Sequence, residues 1–336
     1  MVATVPERYG TCSHTLTMSP ELLAILRCPR CAGMLTILED DNDCHLTCDA
    51  CGETFQIAVN IPRILGAQRE ETARRTQDSF GYEWTHFNDW TQSGQTNFND
   101  YFQGVDLLAL KDCAVLDAGC GMGRHTRQIA AYARSIVAVD FSMAIEQAAL
   151  NTSDLPNVEC VQADLLALPF ADNAFEFVYS LGVLHHLAET ERALASLVRK
   201  LKPGGRLRVY LYWKRHGWKG RVLSAVTAAR KVTTRMPFPA LRTICRLLSL
   251  GLFGGVVLPY RALSAVGVRG LDDWPLFVYT KYPFNVLYND QFDRFSAPIE
   301  KRYDDYEVRA LLEGVGLSDV KVRPCFGWIA DGIKPR

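Results

Sequence analysis

The clearest pattern in the chain runs from about residue 113 to residue 213, where short apolar runs alternate with stretches of helical period. Runs at 114–117, 136–139, 158–162, 175–179 and 206–213 have the length and branched apolar content of buried strands. Between them the spacing predicts helices over 124–132, over a stretch carrying Ala144, Ile145, Ala148 and Ala149, and over 189–201. The last of these is stopped by Lys202-Pro203-Gly204-Gly205. Such alternation predicts a parallel sheet covered on both faces. A short helix begins at Ser19, with Pro20 at its first position. Near the other end a helix over 304–313 precedes a strand over 319–322. Residues 67–76 are charged without apolar periodicity and read as a linker or solvated helix. Residues 285–303 read as a loop facing a pocket.

The first predicted strand runs into Asp117-Ala118-Gly119-Cys120-Gly121-Met122-Gly123, a glycine turn opening a helix. Glycine suits such a turn because a side chain would keep the backbone from closing on a ligand. The spacing differs from the Gly-x-Gly-x-x-Gly of dinucleotide binders. Three acids, Asp117, Asp140 and Asp164, stand at ends of successive strands. Ligands in open α/β sheets bind at that edge, so all three are expected in one crevice. Asp140 follows Asp117 by 23 residues, close to the spacing of an acid that accepts from a ribose diol.

The N-terminal part carries different chemistry. Cys28-Pro29-Arg30-Cys31 and Cys48-Asp49-Ala50-Cys51 are separated by 16 residues, with Gly33 and Gly52 just beyond the pairs. Two Cys-x-x-Cys knuckles so spaced predict a tetrahedral four-thiolate zinc site, Cys28, Cys31, Cys48 and Cys51. Four thiolates leave no open position, so the metal is expected to be structural. Cys44 and His45 rank second as ligands, and a redox dithiol is disfavoured because no βαβ pattern surrounds the motif.

Composition narrows the class. The formal net charge is zero, and 48% hydrophobic with 22% charged residues is ordinary for a globular protein. Residues 1–18 are polar, without the apolar core of a signal peptide, and no uninterrupted apolar run reaches the roughly 18–20 residues that span a bilayer. Eleven cysteines in such a chain point to thiols or metal ligands rather than a disulfide framework. The expectation is a cytoplasmic protein, peripheral to the inner face of the membrane if the basic insertion described below contacts lipid.

Together the quoted segments resemble the class I S-adenosylmethionine-dependent methyltransferases, in particular the group with quinone and small-molecule methyltransferases. The resemblance rests on Val115 to Gly123, Val137 to Phe141, Asp164 with Leu168 to Phe175, Leu184-His185-His186 and Leu201 to Gly205. Ala174 and Glu176 stand where Ser and Asp are common in that group. It implies S-adenosylmethionine as cofactor. Gly119, Gly121 and Gly123 would approach its methionine part, with Asp117 near the ammonium. Asp140 would hold the ribose, and Asp164 with the Leu165 backbone would read the adenine amino group. Phe141 and Ser180 complete the implied cofactor set. The segment 22–65 resembles the small zinc-ribbon proteins that activate methyltransferases, here fused in cis. An aromatic-rich stretch from Phe80 to Phe102 reads as a lid, from which Tyr82 or Trp84 would close over the sulfonium.

Methyl transfer to a hydroxyl is assisted by a base, and His185 and His186 are the candidates; the competing reading is that they only close the strand end. Between Arg192 and Leu271 there are 17 Lys and Arg and no Asp or Glu. Much of this block lies in an insertion that also carries an apolar run from Leu247 to Leu258. Basic residues flanking an apolar segment predict either a membrane-surface contact through 214–270 or a helical cap over the site.

The expected fold class is therefore α/β. A Rossmann-like methyltransferase sheet carries an N-terminal zinc ribbon and a helical insertion. The parts are a ribbon with lead-in (1–66), a linker and aromatic lid (67–110), the cofactor-binding core (111–213), the insertion (214–300) and a C-terminal helix with strands (301–336). The expected acceptor is a small-molecule or lipid-linked hydroxyl in a biosynthetic pathway. An RNA methyltransferase is the alternative, favoured by the ribbon and the basic block. Nucleic acid ranks behind because Tyr179-Ser180-Leu181-Gly182 stands where a base-flipping Asn-Pro-Pro-Tyr motif would. A non-catalytic scaffold is disfavoured by the intact glycine turn and three acids.

Overall fold

The computed structural model describes residues 18–40, 43–66, 71–87, 94–271 and 274–336, with side chains in those spans except at 39, 40, 43, 71–73, 84 and 94–97. It opens with helix α1 (Pro20–Ile25), whose Ser19 cap accepts from the Leu22 amide at 3.0 Å. Strands β1 (Leu35–Asp40), β2 (Asp43–Cys48), β3 (Thr54–Ala58) and β4 (Ile61–Ile64) form an antiparallel ribbon. Helices α2 (Glu71–His86) and α3 (Gly94–Phe102) lead to the alternating core. That core comprises β5 (Ala114–Ala118), α4 (Arg124–Ile129), β6 (Ser135–Asp140), α5 (Ala144–Asn151), β7 (Val158–Ala163), β8 (Phe175–Leu181), α6 (Thr190–Lys200) and β9 (Leu201–Leu211). The insertion is helical: α7 (Gly217–Thr233), α8 (Phe238–Leu252), a π-helical turn (Phe253–Val257), α9 (Leu258–Ala265) and α10 (Phe284–Ser296). Helix α11 (Asp305–Gly314) and strands β10 (Ser318–Pro324) and β11 (Trp328–Ile333) close the chain.

All strands join one 11-stranded sheet, ordered β1-β2-β3-β4-β7-β6-β5-β8-β9-β11-β10. From β4 to β9 neighbours pair in parallel, whereas β11 runs antiparallel between β9 and β10. Alternation along each strand sends Leu116, Val139, Val161, Val178 and Val209 to a core shared with α1, α6 and α11. Val115, Ile136, Phe177 and Tyr179 point the other way, onto α3 and α4. The zinc-ribbon segment is continuous with this sheet. Arg63 and Ile64 of β4 lie in register with Gln162 and Ala163 of β7. Ser19 donates to Glu159, and the Arg27 amide donates to the Pro169 carbonyl at 2.8 Å.

Several expectations change. The helix expected over 124–132 ends at Ile129, and the chain turns through Ala130 to Arg134 back to the sheet. The stretch expected as a loop over 285–303 is mostly α10, because Leu287, Gln291, Phe292 and Ser296 recur at helical spacing and are buried against α8 and α2. The apolar run 247–258 belongs to a longer helix, residues 238–265, with 28 residues, long and apolar enough by length and composition to cross a bilayer. Counting uninterrupted apolar residues missed it, because Arg242, Arg246 and Arg261 break the run but not the helix. Pro259 cannot donate an amide and would crowd the preceding turn of a regular helix. The π turn before it, carrying Gly254 and Gly255, absorbs the irregularity.

Candidate active site

The four cysteines come together as the spacing demands. Their sulfurs lie within 4.8 Å of one another, with Cys28 to Cys51 at 3.8 Å and Cys31 to Cys48 at 3.4 Å. A zinc ion about 2.3 Å from four sulfurs sets them roughly 3.8 Å apart, so the cluster fits a structural zinc. Gly33 is required sterically: a Cβ there would stand 2.9 Å from the Cys48 sulfur and 2.8 Å from the Ala50 Cβ. Cys44 and His45 lie in β2 and are outside the cluster.

At the carboxyl ends of the parallel strands a cleft of about 1780 Å³ opens where the strand order reverses, between β5 and β8. Asp117, Gly119, Gly121, Asp140, Phe141, Asp164 and Leu165 all line it. Gly119 takes φ +87°, and a Cβ on it would lie 2.4 Å from Val183 Cγ2. Gly123 (φ +78°) caps α4 instead, its missing Cβ letting Ala148 of α5 approach. Asp140 accepts from the Gly121 amide through one oxygen and from the Ser142 amide and hydroxyl through the other, at 2.7–2.8 Å. Asp164 spends one oxygen on the Leu166 amide at 2.9 Å. Asp117 is buried and accepts from Thr126 (2.5 Å) and Tyr179 (2.7 Å). Burial nevertheless pushes its carboxyl up to about 7, and burial also raises Asp140.

Two expected contacts fall differently. Ser180 is fully buried on the side of β8 that faces the sheet core, and its hydroxyl donates to the Ala118 carbonyl at 2.7 Å. It ties β8 to β5 and does not line the cleft. Tyr82 stacks on His86 (3.9 Å) and Phe238 (5.1 Å), between α2, α8 and α10. Thr76, Phe80 and Glu83 of α2, with Phe87 just past its end, line the cleft at helical spacing, about a third of a turn from Tyr82; His86, on which Tyr82 stacks, lines it too. The side chain of Trp84 lies outside the described residues, as does all of Trp90.

The two histidines also separate. His185 is fully buried, stacks on Tyr212 at 3.8 Å, and neither ring nitrogen has a well-formed hydrogen bond among the described residues. Burial drives its pKa well below the ordinary range, so it stays neutral. His186 lines the cleft. Its Nδ1 lies 2.7 Å from the Ile299 carbonyl and must donate to it, which leaves Nε2 with a lone pair in the neutral ring. Asp293 Oδ1 lies 3.8 Å from that nitrogen, and the other Asp293 oxygen accepts from Tyr212 at 3.2 Å.

Around this pair the sequence reading missed a cluster of acceptors. Glu83 of α2 faces Asn289, Asp290 and Asp293 of α10. One buried oxygen each of Glu83, Asn289 and Asp293 lacks a hydrogen-bond partner among the described residues. Burial, and then Asp293 and Asp290, raise Glu83 well above the usual carboxylate range; burial lifts Asp290 to about 6. The signal was present in the sequence as Asn289 and Asp293, one helical turn apart, but only after 284–296 is read as a helix.

A family model described as a methyltransferase domain matches residues 116–209, the stretch from β5 to β9 that carries the glycine turn and all three strand-end acids. The chain carries a class I S-adenosylmethionine-dependent methyltransferase domain. The chain is similar to demethylmenaquinone methyltransferase of Renibacterium salmoninarum, 36% identical over 93 residues, which cover 28% of this chain and 38% of that one. It is also similar to phosphoethanolamine N-methyltransferase 2 of Caenorhabditis elegans, 29% identical over 120 residues, 34% of this chain and 28% of that one. Among solved structures, a putative methyltransferase of Bacillus halodurans is 25% identical, with a TM-score of 0.33 over 38% of this chain and 60% of that one. The chain thus spans well under half the length of these two curated relatives. The glycine turn without a Cβ and the carboxylates of Asp140 and Asp164 suit the cofactor of this family, whose sugar and base need acceptors.

Proposed function

We propose that this protein transfers a methyl group from S-adenosylmethionine to a hydroxyl of a small, amphiphilic acceptor, with His186 as the base. When bound, the cofactor supplies a methyl group already activated on a sulfonium. The chain's own task is then to hold the acceptor in line and to take its proton. The observation that carries the reading is His186: Nδ1 is committed to the Ile299 carbonyl, and Nε2 faces the cleft beside Asp293. A hydroxyl placed between them can donate to Nε2, and the Asp293 carboxylate then stabilises the imidazolium that forms. His185, neutral and packed under Tyr212, keeps that ring in place and is not a base.

The unpartnered oxygens of Glu83, Asn289 and Asp293 favour an acceptor whose polar end offers several donors. The outer part of the cleft is lined by Trp218, Val222, Leu223 and Val226 of α7, with Arg242 and Arg246 of α8. An acceptor with an apolar tail and a donor-rich head suits both ends, which supports a lipid-linked or otherwise apolar substrate.

The test uses methyl-labelled S-adenosylmethionine and cell extract separated into lipid, polar-metabolite and RNA fractions. Label in a lipid or small molecule, held as a methyl ether, supports the proposal. Label in RNA, or on nitrogen or carbon, overturns it.

A further inference from the structure

The helix formed by 238–265 is covered on only part of its circumference. Leu241, Cys245, Ser249 and Val257 are buried on one side, against α10 and the turn Phe277–Lys281. Arg242 and Arg246 line the cleft on a second side. A third side carries Ile244, Leu247, Leu248, Gly251, Gly254, Gly255, Leu258, Ala262 and Val266, a stripe at helical spacing that faces solvent. Leu247 is 65% exposed and Val266 77% exposed, and only 22% of the most apolar window of this helix is buried. A helix of 28 residues is about 42 Å long, so the stripe far exceeds the scattered apolar residues of an ordinary surface.

Its electrostatic setting is as one-sided as its hydrophobicity. The whole of 192–271 has no carboxylate side chain. Arg221 and Lys231 of α7, Arg235 after it, Arg246 of α8 and Arg269 beyond α9 are exposed. None of these five makes an ion pair among the described residues. An apolar stripe on a helix whose neighbouring segments carry exposed cations, without ion pairs among the described residues and without one carboxylate, matches one partner in both respects: the interface of an anionic bilayer, with acyl chains below and phosphates above.

We propose that the outer face of 238–266 docks this protein on an anionic membrane surface, lying in the interface with its apolar stripe inserted among the lipid head groups. The helix lies on the bilayer and does not cross it, because two of its sides are already occupied by α10 and by the cleft. The same helix carries Arg242 and Arg246 into the cleft, so docking brings the cleft mouth beside the bilayer. The surface stands whether or not the acceptor proves to be a hydroxyl.

The experiment is flotation of the full chain with vesicles of phosphatidylcholine, with and without phosphatidylglycerol, at low and high salt. Wild-type protein is expected to float with the anionic vesicles, less at high salt, and little with phosphatidylcholine alone. The variant Leu247→Asp, Leu258→Asp, which touches neither cleft nor core, should lose partitioning by on the order of tenfold per leucine. Its melting temperature and cofactor affinity should match the wild type, which separates lost docking from lost folding. Wild-type protein left at the bottom with anionic vesicles overturns the proposal, as does a folded variant that floats equally well. Two further results overturn it. One is a wild-type dimer in sedimentation that the double variant converts to monomer, which would make a second copy the occupant. The other is protein that stays with membranes through alkaline carbonate, which would make the helix a spanning one.

Discussion

His186, behind β8, and Asp293, on α10, face each other across 3.8 Å, and the Asp293 oxygen concerned has no hydrogen-bond partner among the described residues. This juxtaposition joins the methyltransferase sheet to its insertion, at the point where the proposed reaction has the acceptor proton leave. Replacing His186 by Asn should lower kcat by about 10²–10⁴-fold and leave the dissociation constant for S-adenosylmethionine within about twofold. His185→Ala should act instead through stability, costing about 2–4 kcal/mol as a buried ring is removed. Equal turnover in wild type and His186→Asn would end the base assignment.

Gly119 tolerates no side chain. Its φ of +87° strains any L-residue, and a Cβ would overlap Val183. Gly119→Ala should destabilise the chain by about 1–3 kcal/mol from backbone strain alone, and weaken cofactor binding at least tenfold. Calorimetric titration with S-adenosylhomocysteine, alongside thermal melting, measures both; an unaltered affinity would mean that the turn does not meet the ligand.

Asp117 is expected to give cofactor binding a pH dependence. Burial holds its carboxyl up to about 7, whereas an unfolded aspartate titrates near 4. Between those values the folded chain keeps a proton that the unfolded chain has lost, so this group's contribution to stability falls as pH rises. A ligand ammonium beside Asp117 favours the carboxylate and must displace the proton. Affinity should therefore rise with pH up to about 7 and level off above it. Titrations at about pH 6 in two buffers of different ionisation enthalpy should show proton release. Asp117→Asn should abolish that release, and a release unchanged in the variant would exclude Asp117 as its source.

The zinc ribbon should not unfold alone, because β4 is hydrogen-bonded to β7 as part of one sheet. Purified protein is expected to hold one zinc per chain by elemental analysis. Cys31→Ser should lose the metal and lower the melting temperature of the whole chain, by about 1.5 °C for each kcal/mol lost. Two separate melting transitions, with the second unaffected by the variant, would show the ribbon to be independent.

How much of this was legible in the sequence differs from part to part. The alternating core, the glycine turn and the three strand-end acids were legible because they depend on local periodicity and on residues within one βα unit. The clustering of Cys28, Cys31, Cys48 and Cys51 was legible because two turns fix their sulfurs almost independently of the rest of the chain. Tyr82 and Ser180 were misplaced for the same physical reason: which way a side chain points depends on the phase of its helix or strand relative to the packed core. Tyr82 is about a third of a turn from the cleft-facing stripe of α2, and Ser180 is one residue out of phase along β8. Local sequence thus determined the sheet, the cofactor turn and the metal site. Only tertiary packing brought Glu83 of α2, His186 behind β8 and Asp293 of α10 together, because these residues are about 100 positions apart and share no local pattern. Packing also decided which sides of 238–265 are buried and which are left to solvent, since its apolar residues surround the helix and the sequence alone does not rank one side above another.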